Sequence, residues 1–102
     1  MAILVHDHYV WENETPAEMS DNARRQEGLR AVAESMDLDV LVGVVDMETF
    51  ELRVSGSLEA VMKLYHIAQA EGLQPTRVLV DSDEDYDALQ TALPEAIVDY
   101  AG

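Results

Sequence analysis

Apolar positions along the 102-residue chain fall into short alternating runs separated by stretches with helical spacing. The opening segment, Ala2 to Trp11, is rich in β-branched and aromatic residues and is short enough for one strand. Alternation sets Ile3, Val5, Tyr9 and Trp11 on one face and Leu4, His6, His8 and Val10 on the other. The first set reads as the core face, although Asp7 interrupts it. Thr15-Pro16-Ala17-Glu18 has the residues of a capped helix start: a threonine to accept from a free amide, proline at the first helical position, and a glutamate reaching back. The helix it opens is expected to end near Met36, with Met19, Ala23, Leu29, Val32, Ala33 and Met36 as its apolar stripe. Gly28 weakens that helix without ending it.

Asp37-Leu38-Asp39 breaks the pattern, and Val40 to Val45 then reads as a buried strand in which Gly43 marks a bulge or a close approach. Asp46 to Thr49 is short enough for a hairpin connection into Phe50, Leu52 and Val54, which alternate with Glu51, Arg53 and Ser55. Gly56-Ser57 caps a second helix carrying Leu58, Val61, Met62, Tyr65 and Ala68, closed by Gly72, with Pro75 forbidding continuation. Arg77 to Val80 is a fourth strand. Asp81 or Ser82 caps a third helix with Tyr86, Leu89 and Leu93, ending before Pro94. Ala96 to Tyr100 reads as a fifth, edge strand, with a helical turn as the alternative. The order is βαββαβ with an appended C-terminal helix and edge strand. This predicts a single α+β domain of ferredoxin-like type over residues 1–102, an antiparallel sheet with its helices on one face.

Composition adds a charge problem. Asp and Glu number 21 against 6 Lys and Arg, a formal charge of −15, while 48% apolar residues suffice for one small core. There is no cysteine, which removes disulfides, thiolate zinc sites and cysteine nucleophiles together. No apolar run approaches the ~18 residues of a membrane helix, and Met1 to Val5 runs into His6-Asp7-His8 with no basic start or cleavage site, so a cytoplasmic location is expected.

Chemistry-bearing motifs are few. His6 and His8 share a strand face but supply two of the usual four ligands of a metal site, so no metal is assigned to them. Asp81-Ser-Asp-Glu-Asp-Tyr-Asp87 begins like a calcium loop, yet Tyr86 stands where the turn needs glycine and Ala92 where a bidentate glutamate should close the site. An acidic first turn at the positive end of a helix dipole explains two or three of its five carboxylates. No nucleophile elbow, phosphate loop or zincin motif occurs, so no catalytic residue and no cofactor are assigned and the chain is read as a non-enzyme. Arg24, Arg25 and Arg30, on a helix dotted with Glu18, Asp21, Glu27 and Glu34, read as intrahelical pairs. The net field disfavours direct binding of DNA or RNA.

A surface this negative repels itself, and a basic partner would relieve it. Asp81-Ser-Asp-Glu-Asp-Tyr-Asp87 and the 21-to-6 acid ratio give the chain a character that resembles the small acidic inhibitors of phages and other mobile elements, including anti-CRISPR and DNA-mimic antirestriction proteins. That resemblance implies a non-catalytic protein that occupies a basic nucleic-acid-binding surface of a nuclease or similar effector. Asp81, Asp83, Glu84, Asp85 and Asp87 are the first candidates for the contact, and Glu48 and Glu51 the second. Two other readings stand beside it. One is solvation in high salt, which the single lysine, Lys63, favours and five methionines with only four threonines oppose. The other is an oligomeric module whose uncovered sheet face, with His6, His8, Arg53 and Arg77 as candidates, pairs with a second copy or holds a small ligand. Tyr9, Trp11 and Tyr100 fit either a core or an interface.

Overall fold

A computed structural model describes the backbone over residues 1–9, 16–46 and 49–101, and side chains over 1–7, 24–43 and 51–101. The elements run β1 (Ala2–Tyr9), α1 (Pro16–Ser35), β2 (Asp39–Asp46), β3 (Thr49–Gly56), α2 (Leu58–Ala70), β4 (Arg77–Val80), α3 (Asp83–Ala92) and β5 (Val98–Tyr100). They build one five-stranded sheet in the order β2-β3-β1-β4-β5. The first four strands pair antiparallel in ferredoxin-like order, as the α+β reading expects. The edge strand β5 departs from that reading: it pairs with β4 in parallel, because α3 is long enough to carry the chain back along the sheet.

One continuous core lies between the sheet and the helices. Ala2, Leu4, Leu52, Val54, Val78, Val80 and Val98 meet Leu29 and Ala33 of α1, Val61, Leu64, Tyr65 and Ala68 of α2, and Leu89 of α3. All three helices therefore contribute to the same cluster. The phenol of Tyr65 is fully buried and accepts from Gln74 Nε2 at 2.7 Å, which satisfies the polar atom it brings inside.

The core face of β1 is the reverse of the one read from alternation. Ala2, Leu4 and His6 turn to the helices, while Val5 lies on the open face in register with Arg53 and Arg77. As the middle strand β1 has neighbours on both sides, so Val5 is also completely buried and its apolarity carried no information about which face is inside. His6 is 7% exposed, and Gln26 Nε2 lies 3.1 Å from its Nδ1 and 3.3 Å from its carbonyl oxygen, tying β1 to α1. His6 is thus on the opposite face from Arg53 and Arg77, and the grouping of those three on one open face does not hold. The side chains of His8 and Tyr9, together with Trp11, Thr15, Glu12, Glu14 and Glu48, fall outside the described residues.

Two further differences concern glycines and helix ends. The register shift in the β2–β3 hairpin falls between Val44 and Asp46, whereas Gly43 pairs regularly with Glu51 and a Cβ there would meet nothing. Both α1 and α2 end in the same hydrogen-bonded motif. Leu38 N donates to Ala33 O and Asp37 N to Glu34 O, as Leu73 N donates to Ala68 O and Gly72 N to Gln69 O. The left-handed residue is Gly72 in α2, at φ 77°, but Asp37 in α1, at φ 58°.

Candidate functional site: the acidic end of the sheet

Register fixes which connections share an end of the molecule. Ala2, the first residue of β1, pairs with Gly56 at the end of β3 and with Val80 at the end of β4. Val80 pairs in turn with Tyr100, the last residue of β5, and Asp39 opens β2 opposite Ser55. The α1–β2, β3–α2 and β4–α3 connections therefore meet at one end. They bring together Asp37 and Asp39, Glu59 in the first turn of α2, Asp81, Asp83, Glu84 and Asp85 around the start of α3, and Asp99 on the edge strand. All are exposed except Asp85, which is half-buried. Asp87 follows Asp83 by one turn of α3 and is exposed too.

Local sequence explains the start of α3. Ser82 in extended backbone accepts from Asp85 N at 3.2 Å, so Ser82 and not Asp81 is the cap. Asp83, Glu84 and Asp85 occupy the first turn, where the free amides and the helix dipole favour negative charge by ~0.3–1 kcal/mol each at most. Beside them the N-terminal amine of Met1 lies 3.3 Å from Asp81 Oδ1 and 3.6 Å from Asp85 Oδ2. Tyr100 donates its hydroxyl to Asp83 Oδ1 at 2.6 Å and stacks on Tyr86. The hydrogen bond to Asp83, with partial desolvation and the nearby charges of Asp83 and Asp87, pushes the Tyr100 phenol up to about 12. Tyr100 and Tyr86 are thus part of this acidic surface. Sequence alone leaves Tyr100 open between core and interface and puts Tyr86 on the apolar face of α3; their meeting with Asp83 is not legible in it, because the β4–β5 pairing is what brings residues seventeen positions apart into contact.

The cations of the described residues are engaged elsewhere or lie away from this end. Arg30 bonds Glu27 and, at 2.7 Å, Glu34, which confirms the intrahelical pairing expected there and holds the Glu27 carboxyl below its ordinary value. Arg53 bonds Glu51 Oε1 at 2.5 Å on the open face. Apart from the Met1 amine, only Lys63, one turn beyond Glu59 in α2, stands near the acidic end. Glu51 does not join it: its partner Asp7 is five residues along β1 from Ala2, about 17 Å away. The first-choice carboxylates are therefore gathered with Asp37, Asp39, Glu59 and Asp99, which the sequence motif did not include, and Glu51 is separate from them.

These features define an acidic ferredoxin-like α+β domain with one strongly anionic end. Among the described residues no helix is long and apolar enough to cross a membrane, and no group of three or more His, Asp or Glu is arranged to hold a metal ion. Comparison with known protein families, with curated proteins and with solved structures finds no match.

Proposed function

We propose that this protein is a non-catalytic inhibitor or binding protein whose acidic end occupies the basic nucleic-acid-binding surface of another protein, in the manner of anti-CRISPR and DNA-mimic antirestriction proteins. The observation that supports this is the convergence of carboxylates from three connections and the edge strand onto one end of the sheet. Four strand spacings make that end about 19 Å wide, a length over which one strand of duplex DNA carries five or six phosphates. Asp39, Glu59, Asp81, Asp83, Glu84, Asp85 and Asp99 supply a comparable charge density, and among the described residues Lys63 and the Met1 amine are the cations beside them. A cationic groove would be drawn to such a surface at a high rate and then be closed to its own ligand. The place of action is the cytoplasm of the cell that holds the target.

The test is competition. Proteins retained from a cell lysate by the immobilised chain at about 50 mM salt should be nucleic-acid-binding proteins, released both by about 200 mM salt and by an added DNA or RNA duplex. Retention of proteins with no nucleic-acid site, or retention that neither salt nor duplex reverses, contradicts the proposal.

A second reading, the oligomeric module, has one observation in its favour. Leu41 and Ile97 are 67% and 65% exposed at the two edges of the open face, in the row that holds Arg53, Val5 and Arg77. A monomeric mass in solution at high protein concentration removes that reading.

A further inference from the structure

Between α1 and α2 lies a groove enclosing about 360 Å³, a volume within the range of small-molecule sites. Its floor is apolar and buried, made by Leu29, Ala68 and Leu73, with Val32 and Ile67 half-buried along the walls. At its mouth stand the exposed side chains of Arg24, Arg25 and Glu71. This is the far end of α2, about 20 Å from the helix start that belongs to the acidic end. Arg24 is already engaged by another group, so Arg25 is the guanidinium that the mouth offers a ligand on a chain of charge −15. Arg25 makes no hydrogen bond or ion pair among the described residues, and its Nη1 reaches within 3.8 Å of the position a Cβ on Gly72 would take.

Gly28 is the second observation. Glycine is among the worst residues for a helix interior, and it is usually kept there where another chain segment comes too close for a side chain. Nothing comes close here: a Cβ on Gly28 would have no neighbour within 4 Å. Its missing side chain leaves the groove open. Arg25 beside the last turn of α2 would favour the negative end of that helix dipole, which accounts for the arginine but not for the space beside Gly28.

We propose that this groove binds a saturated monocarboxylate of about eight to ten carbons, since 360 Å³ at the ~30 Å³ of a water-sized group holds roughly twelve heavy atoms. The chain lies over Gly28 against Leu29, Ile67 and Leu73, and the carboxylate takes the free fork of Arg25. The site does not depend on the acidic end or on the function proposed for it.

The experiment is an amide NMR titration of the full chain with decanoate and, as the uncharged control, decanol, combined with thermal melts of variants. Decanoate should produce saturable shifts centred on Gly28, Ile67 and Leu73 and bind about tenfold more tightly than decanol, a difference that Arg25→Gln removes. Gly28→Leu, and Gly28→Met as a second variant, should abolish binding while raising the melting temperature, because each fills the groove and improves the helix. Gly28→Ala should raise the melting temperature and leave binding in place. Equal affinity for decanol and decanoate in the parent chain, shifts that do not saturate, or unaltered decanoate binding in both groove-filling variants would overturn the proposal.

Discussion

The Tyr100 hydroxyl donates to Asp83 Oδ1 at 2.6 Å while its ring lies 5.0 Å from that of Tyr86 with the planes 3° apart, locking the edge strand to the first turn of α3. Ionising the phenol would put a second negative charge against Asp83, so the protonated form is the one the fold favours. With the folded value raised to about 12 from an ordinary 10, this contact stabilises the fold fully below pH 10 and is lost as the pH rises from 10 to about 12. Absorbance titration near 295 nm should show one tyrosine ionising about two units later than an ordinary one, and Asp83→Asn should bring it back toward 10. A phenol at Tyr100 that ionises normally in the parent chain contradicts the contact.

The two matched helix ends give opposite mutational signs. Asp37 holds a left-handed conformation that glycine adopts without penalty, and it places a negative charge at the negative end of α1. Asp37→Gly should stabilise the protein by about 0.5–1 kcal/mol in urea unfolding. Gly72→Ala, at φ 77°, should cost about 1 kcal/mol in the same measurement. A loss of stability in the first variant would mean that the Asp37 carboxylate has a role beyond its backbone position.

Gly56 packs closely against Leu38. A Cβ on it would overlap the side chain of Leu38, which folds under the end of α1 against the core. Because the overlapped atom is the end of a half-buried side chain that can turn aside, Gly56→Ala should cost no more than about 1 kcal/mol, the low end of the range for overpacking a core. Gly56→Ala combined with Leu38→Ala should lose less than the sum of the two single changes. Additive losses would show that Leu38 moves aside freely.

Charge repulsion sets the response to salt. With −15 spread over 102 residues, screening should raise the melting temperature between about 10 mM and about 150 mM salt and add little beyond. The continuous apolar core should keep the chain folded at the lower value, where a protein adapted to high salt would unfold. Loss of circular dichroism at low ionic strength would favour the high-salt reading over the binding one.

The element order was legible because local devices mark it: Ser57 and Ser82 accept from the amides of Ala60 and Asp85, and Gly72 ends α2 in the left-handed conformation glycine favours. The orientation of β1 was not, since Leu4 and Val5 are both fully buried and alternation cannot choose between two apolar faces of a central strand. The parallel direction of β5 depends on where α3 lays the chain, which no residue in Val98–Tyr100 encodes. For the site, Asp81 to Asp87 stood out as a run, but Asp37, Asp39, Glu59 and Asp99 join it only through strand register. Arg25 differs from Arg30 for a similar reason: both lie among glutamates on α1, and tertiary placement leaves Arg25 over the end of α2.

The most direct test of the acidic-end account compares the parent chain with Glu84→Gln/Asp87→Asn/Asp99→Asn, three exposed positions whose side chains hold no hydrogen bond or ion pair among the described residues. Each is bound to a duplex-releasable protein captured by the parent, and affinity is measured across salt from about 50 to about 200 mM. The account expects an unchanged fold by circular dichroism, weaker binding at the low end, and a shallower dependence of log affinity on log salt. Equal affinity and an equal salt slope for the two chains would contradict it and move the contact to another face.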